Sequence, residues 1–344
     1  MYTKTVRAKE TTYLIRGLIF IAVLAALFAA LSLLVPTVIS YSAIKGEAVL
    51  PELKQFPVTV DPAHKKIVEN SSVNAILEGP SSPLSSTARE GNGLSRFFER
   101  LSRTIASASW FQNLAAINGR TVIILSGMRK EQVAAAFGNT LRWSTKDRQT
   151  FLTKSPYAVL PLTEGSFISG TYSIEPGMTA LQAQALVNDR FSKEILERYA
   201  SSTAEKVPVE EALIIASLIE REAGGGDDMR MISGIIWNRL FLGMNLQIDA
   251  TLQYAKASQK NSGTWWPRVV PDDRFRKSAY NTYQHAGLPP TPIATPSVAA
   301  VIAALNPKST ACLYYFHDDG GNFHCSETYA GHVAALKKIY GRGK

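Results

Sequence analysis

The sequence lacks the signatures of several large functional classes. It has two cysteines in 344 residues, no familiar spacing of zinc ligands and no nucleotide-binding motif. It has no recognition-helix signature and no interleaving of aromatic with basic residues, which disfavours nucleic acid in spite of a net charge of +9. That charge would suit another anionic partner, such as a phospholipid surface or an acidic polymer. We therefore expect a protein that uses no metal, no cofactor and no nucleic acid.

Long apolar runs are scarce too, and internal repeats are absent. The exception is "GLIFIAVLAALFAALSLLV" at residues 17–35, which carries no charge and has the length of a membrane-spanning helix. Four basic residues and one acidic residue precede it, so the positive-inside rule keeps the N-terminus cytoplasmic. We predict a cytoplasmic tail at 1–16 and a transmembrane helix at 17–38. A cleaved signal peptide is the alternative.

The two cysteines flank "LYYFHDDGGNFH", which is typical of a strand, an Asp/Gly turn and a second strand. If Asp318 and Asp319 form a two-residue loop, Cys312 and Cys325 lie opposite each other and can form a disulfide. A Cys/His metal site is the alternative, but the spacing fits no familiar zinc pattern.

The rest of the chain indicates an α+β protein. Residues 39–110 are poorly patterned and rich in Ser, Gly and Pro, so we predict a connector. Residues 111–175 combine a strand, small helices and a strand pair bent at Gly170, which predicts a small α/β module. Residues 176–344 predict a mostly helical domain with a small β-hairpin sheet.

Two carboxylates end the most apolar helix of that domain. Glu220 and Glu222 close the segment "VPVEEALIIASLIEREA", and three glycines follow directly. Two residues on a helix are about 200° apart, so only one of the two can face a given cleft. Burial and the helix C-terminus both disfavour an anion there, which favours a protonated general acid. The alternative is that both glutamates form ion pairs with Arg221, Arg230 or Arg239.

Four ordered motifs resemble the catalytic domain of the endolytic murein transglycosylases of bacterial inner membranes. They are "ASLIEREA", "NRLFLGMNLQIDATLQYA", "AYNTYQHAGLPPTPIATP" and "LYYFHDDGGNFHCSETYAGH". The resemblance runs from about residue 160 to the C-terminus. It implies a lysozyme-like catalytic domain at 176–344, a LysM-like module before it, and a single-pass inner-membrane protein with a periplasmic catalytic domain.

The resemblance also implies a reaction. The family cleaves the β-1,4 bond between N-acetylmuramic acid and N-acetylglucosamine of peptidoglycan without water, and leaves a 1,6-anhydro end. Because the muramyl 6-hydroxyl is the nucleophile, one glutamate suffices where ordinary glycosidases need two carboxylates. In related enzymes the acid precedes a small residue, so the resemblance favours Glu222 as the catalytic residue, with Glu220 as the alternative or as a structural carboxylate held by Arg239.

Polar residues in the other motifs match the family's substrate cleft. They are Gln247, Asp249, Thr251, Tyr280, Asn281, Thr282 and Tyr283. Trp265 and Trp266 fit either core packing or sugar contact. The partners implied are peptidoglycan glycan strands, the inner membrane and peptidoglycan synthases, with a role in ending the growth of nascent strands. A glycan-binding scaffold without activity and a lysozyme-type hydrolase are the alternatives.

Overall fold

The computed structural model describes residues 55–78, 121–153, 164–224, 226–259 and 264–341. In these ranges the fold is mixed α+β, mostly helical, with three two-stranded antiparallel sheets. The cytoplasmic tail and transmembrane helix expected at 1–38 lie outside the described residues. None of the helices within the described ranges is long and apolar enough to cross a membrane.

The helices and strands are named in chain order. The N-terminal part holds β1 (Val60–Asp61), β2 (Lys66–Ile67), α1 (Ser71–Glu78), β3 (Thr121–Ile124), α2 (Lys130–Thr140), α3 (Thr145–Leu152), β4 (Gly170–Ser173) and α4 (Ala180–Glu194). The C-terminal part holds α5 (Ser201–Lys206), α6 (Val209–Glu222), α7 (Gly226–Phe241), α8 (Asp249–Ala257), α9 (Val298–Leu305), β5 (Tyr314–His317), β6 (Phe323–Ser326) and α10 (Tyr329–Tyr340).

The main core is built around α6 and α9. Helix α6 is apolar on nearly every side and buries all residues from Ala212 to Glu220. It packs against α9, whose sequence "VAAVIAAL" is apolar throughout, while α7 and α8 cover its other sides. Each large aliphatic side chain buried here contributes about 1.5–3 kcal/mol relative to exposure. The end of α6 therefore extends from a helix that is packed against α7, α8 and α9.

A smaller core lies under β3, β4 and helices α2 to α4. Thr179 begins α4 by accepting a hydrogen bond from the Gln182 amide, as its position before the apolar periodicity indicates. The strand pair expected around Gly170 is wrong: β4 pairs with β3, with Gly170 opposite Ile124. Residues 167–169 before β4 form no strand, and their side chains pack into two cores, Phe167 into the small core and Ile168 into the main core.

The described part of the expected connector, residues 55–78, contributes to the main core. Phe56, Val60 and Leu77 are each 2% exposed or less. The Phe56 amide donates to the Arg198 carbonyl at 2.8 Å, and the Thr59 amide donates to the Leu305 carbonyl at 3.0 Å. Phe56, Val58 and Val60 alternate, but the run is only five residues long and leads into strands of two residues each, so the pattern is too short to indicate a core element.

The β5–β6 hairpin differs in its turn from the expectation. The strands end at His317 and resume at Phe323, so the loop is longer than two residues. Asp318 closes this loop, since its amide donates to the Asn322 carbonyl at 3.0 Å and its side chain accepts from the Asn322 amide at 2.9 Å. Cys325 consequently lies opposite Tyr315 rather than Cys312. A disulfide nevertheless joins Cys312 to Cys325, so these sulfur atoms are not available to a metal.

Candidate active site

Glu220 has a structural contact at the beginning of α9. Its Oε2 accepts hydrogen bonds from the Ser297 amide at 3.0 Å and the Ser297 hydroxyl at 2.7 Å. The same hydroxyl accepts from the Ala300 amide at 3.1 Å, which caps the helix. Glu220 is 8% exposed, so these bonds satisfy a carboxylate that burial would otherwise penalise. The carboxylate ties the end of α6 to α9.

The expected contact between Glu220 and Arg239 is wrong. The Arg239 guanidinium instead donates to the carbonyls of Leu313 and Leu246, both at 2.7 Å. It thereby joins α7 to β5 and to the segment before α8. A guanidinium has five donors in a planar fork, and here they bind backbone carbonyls of residues that lie outside helices and strands.

Glu222 is the last residue of α6 and is half-buried. Its Oε2 accepts a hydrogen bond from the Tyr315 hydroxyl of β5 at 2.9 Å, and the Ala250 amide of α8 also bonds the carboxylate. Burial raises the pKa of Glu222 above its ordinary value, and the charge of Asp249 raises it further. The Tyr315 hydrogen bond, the Ala250 amide and the Arg221 charge oppose that rise. The carboxyl is therefore biased towards the protonated state but has groups that stabilise its anion.

Asp249 lies next to Glu222 at the beginning of α8 and is exposed. The Tyr283 hydroxyl donates to Asp249 Oδ1 at 2.6 Å. Burial, followed by this hydrogen bond, raises the pKa of Tyr283, so the phenol keeps its proton and remains a donor. Two tyrosine–carboxylate pairs thus lie side by side, with Tyr315 on Glu222 and Tyr283 on Asp249.

Gln247 is exposed and adopts φ +52°, a left-handed conformation that is unusual for a residue with a side chain. Two contacts hold it there: its amide donates to the Thr282 carbonyl at 3.0 Å, and its side-chain oxygen lies 3.3 Å from Arg239 Nη1. Gln247 and Asp249 are exposed, whereas Ile248 between them is buried. Their polar side chains are therefore accessible beside Glu222.

Three other residues of the expected cleft are buried beneath the segment that carries Gln247 and Asp249. Thr251 and Thr282 are buried, their hydroxyls lie 3.0 Å apart, and Thr282 Oγ1 accepts from the Ile248 amide at 3.0 Å. Asn281 is fully buried and donates to the Arg274 and Arg276 carbonyls at 3.0 and 2.8 Å. These three side chains hold the backbone around Gln247 and Tyr283.

Tyr280 is partly buried against the main core rather than grouped with Glu222. Its hydroxyl lies 2.8 Å from Thr291 Oγ1, and its ring packs 4.8 Å from that of Tyr254.

The two tryptophans form cation–π contacts. The Arg221 guanidinium lies 3.8 Å from the Trp266 ring centre and that of Arg129 lies 5.6 Å from Trp265. Trp265 is 41% exposed and Trp266 packs against the main core.

Sequence reasoning missed Tyr315. Tyr315 and Glu222 are 93 positions apart, and no local pattern links them. The available signal was weak: Tyr315 lies in the predicted hairpin strand, where alternate residues share a face. Only the packing of the hairpin on α6 shows that this face points at Glu222.

The chain belongs to the YceG-like family, whose sequence profile matches residues 89–338. The endolytic murein transglycosylase of Bacillus subtilis is 31% identical over an alignment 238 positions long, which covers 63% of this chain and 64% of that protein. The endolytic murein transglycosylase of Streptococcus pneumoniae serotype 2 is 30% identical over 158 residues, which are 45% of this chain and 28% of that protein. The matches thus span under two thirds of each relative's length.

The fold has a counterpart among solved structures. A crystal structure of a putative YceG-like protein from Listeria monocytogenes superposes with a TM-score of 0.54 at 21% identity, and the alignment covers 84% of this chain and 98% of that one. At that identity the likeness concerns the fold. It is consistent with the mixed α+β architecture described above.

Proposed function

We propose that this protein is a lytic transglycosylase that cleaves peptidoglycan strands internally, at the bond between N-acetylmuramic acid and N-acetylglucosamine, and leaves a 1,6-anhydro end. The observation that carries the proposal is the placement of Glu222, a half-buried carboxyl at a helix end that accepts from Tyr315 beside the accessible side chains of Gln247 and Asp249. Burial also raises its pKa, as a general acid requires. Membership of the YceG-like family and the names of the curated relatives support the same reaction.

In the proposed mechanism Glu222 acts twice. Protonated Glu222 first donates its proton to the glycosidic oxygen, and the bond from this oxygen to the muramyl anomeric carbon breaks. The muramyl 6-hydroxyl then attacks that carbon and gives its proton to the Glu222 carboxylate. The carboxyl returns to its starting state and no water is consumed. Tyr315 donates to the anion that exists between the two transfers.

Asp249 and Gln247 complete the proposed site. The negative charge of Asp249 favours the protonated state of Glu222, which the first step requires. We assign to the accessible side chains of Gln247 and Asp249 the binding of sugar hydroxyl and acetamido groups. Four further side chains hold the backbone of that surface in place: Thr251, Asn281, Thr282 and Tyr283. Tyr280 packs against the main core, and its hydroxyl contacts Thr291.

The finer parts of the proposal concern location. We propose that residues 17–38 anchor the protein in the inner membrane, with the catalytic domain in the periplasm. An anchor would keep the site close to the membrane surface, where new strands emerge. The role would then be to end strand growth beside peptidoglycan synthases, and a LysM-like module at 111–175 would add glycan contact.

The test is incubation of the purified full-length chain with glycan strands, with products read by mass. Anhydro ends support the proposal, reducing ends indicate a hydrolase, and binding without cleavage indicates a scaffold. Glu222→Gln should abolish product, because an amide cannot donate the required proton. Glu211→Gln, at an exposed position on the same helix, is the matched control and should retain full activity. Full activity in Glu222→Gln would refute the assignment of the acid.

A further inference from the structure

The face of β5 that carries Tyr315 also carries His317, because alternate residues of a strand share a face. Phe323, opposite His317, lies on this face as well, and its ring is 5.5 Å from the imidazole and 5.9 Å from Tyr315. Tyr315 and Phe323 pack against the main core. The other face carries Phe316 and His324, stacked 5.0 Å apart, and Phe316 contacts His332 of α10.

His317 contacts the first turn of α7, the helix that follows Glu222. Its Nε2 lies 2.5 Å from Oδ2 of Asp228, near the beginning of α7. The same oxygen accepts the Gly224 amide at 2.8 Å. Since an ionised carboxylate has only acceptors, the imidazole must be the donor in this pair. Asp228 is 9% exposed, so its contacts with the imidazole and the Gly224 amide lie largely out of solvent.

The fit around Gly224 is tight. A Cβ at this position would lie 3.1 Å from the imidazole and 3.2 Å from Asp228 Oδ2. The absence of a side chain therefore lets the imidazole, the carboxylate and the backbone amide meet. Glu222 precedes this contact by two residues, and the disulfide between Cys312 and Cys325 covalently links the two sides of the hairpin that carries His317.

We propose that His317 is a positioning residue of the reaction, which acts through Asp228 and Gly224 to hold the Glu222 carboxyl against Tyr315. The hairpin then contacts Glu222 directly through Tyr315, and it reaches the segment after α6 indirectly, from His317 through Asp228 to the Gly224 amide. Two contacts on one face restrict rotation of the helix end, which a single hydrogen bond would not. The proposal rests on the proposed function of Glu222.

The experiment compares full-length variants on glycan strands. His317→Ala should lower kcat at least tenfold with KM within twofold, because the acid is displaced while the sugar-binding side chains remain in place. His317→Gln should restore kcat to within threefold, because its amide can donate to Asp228 from a similar distance. His324→Ala, on the opposite face of the same hairpin, is the matched control and should stay within twofold of the unaltered protein.

A second readout separates positioning from a general loss of folded protein. Glu222 is faced by Tyr315 from β5, by Asp249 and the Ala250 amide from α8, and by Arg221 on its own helix. If His317→Ala separates Glu222 from Tyr315, the midpoint of the high-pH limb of kcat should move up, as it should in Tyr315→Phe. A fall in kcat with an unmoved midpoint and unmoved amide exchange would overturn the proposal, as would an unchanged kcat.

Hydrogen exchange at the Gly224 amide tests the contact without any activity. Exchange should speed up at least tenfold in His317→Ala and in Asp228→Asn, and stay unchanged in His324→Ala. If the unaltered protein forms no anhydro ends, the proposed function fails while this measurement still reports the contact. If anhydro ends form but Gly224 exchange is indifferent to His317, the positioning role alone fails.

Discussion

Tyr315→Phe removes the hydroxyl that donates to Glu222 at 2.9 Å and leaves the ring packed on Phe323. A hydrogen bond to a charged group is worth about 1.5–3 kcal/mol net, and 1.36 kcal/mol corresponds to one pH unit. The donor favours the carboxylate, so its loss lets Glu222 keep its proton to higher pH. At the lower end of this range, the loss of the hydrogen bond should move the midpoint of the high-pH limb of kcat up by about one pH unit.

The assay is kcat for anhydro-ended product as a function of pH, with a carbon-13 titration of the Glu222 carboxyl alongside. Tyr314→Phe, the neighbouring tyrosine on the other face of β5, controls for the change of residue type and should leave the midpoint in place. A midpoint that stays put or moves down in Tyr315→Phe, with an unchanged unfolding temperature, would refute the reasoning that the phenol stabilises the Glu222 anion.

Two further predictions test the neighbours of Glu222. Asp249→Asn removes a negative charge that raises the pKa of Glu222. The midpoint of the high-pH limb of kcat should therefore move to lower pH, opposite to the shift expected in Tyr315→Phe. A shift to higher pH would contradict the electrostatic argument. Glu220→Ala removes the acceptor for the Ser297 amide and hydroxyl, and chemical denaturation should show a loss of about 1–3 kcal/mol in unfolding free energy. Glu211→Ala is its control, and an equal loss there would show that the capping contact is not the cause.

The local elements of the fold could be predicted from the sequence. Thr179 precedes an amphipathic helix and Ser297 precedes an apolar one, and each side chain caps the helix that the pattern indicates. The apolar sequence of α6 predicts a central position, and its end at Glu222 follows from the glycines after it. These features depend on residues within about one helical turn of each other, which a sequence displays directly.

The composition of the candidate site could be predicted only in part. The spacing of Glu220 and Glu222 correctly indicates that they point to different surroundings, since one contacts Ser297 and the other Tyr315. The contact of Glu220 could not be predicted, because Ser297 is 77 positions away and several arginines were nearer in sequence.

The sequence by itself determined where the apolar helix ends and which carboxylates stand at that end, because periodicity and helix termination are local properties. Only the tertiary structure decided that Tyr315 and His317 of a distant hairpin meet Glu222 and Asp228, and that residues 55–78 complete the main core. These contacts depend on how α6, α8 and the hairpin pack together, and packing is set by the shapes of whole elements rather than by neighbours along the chain.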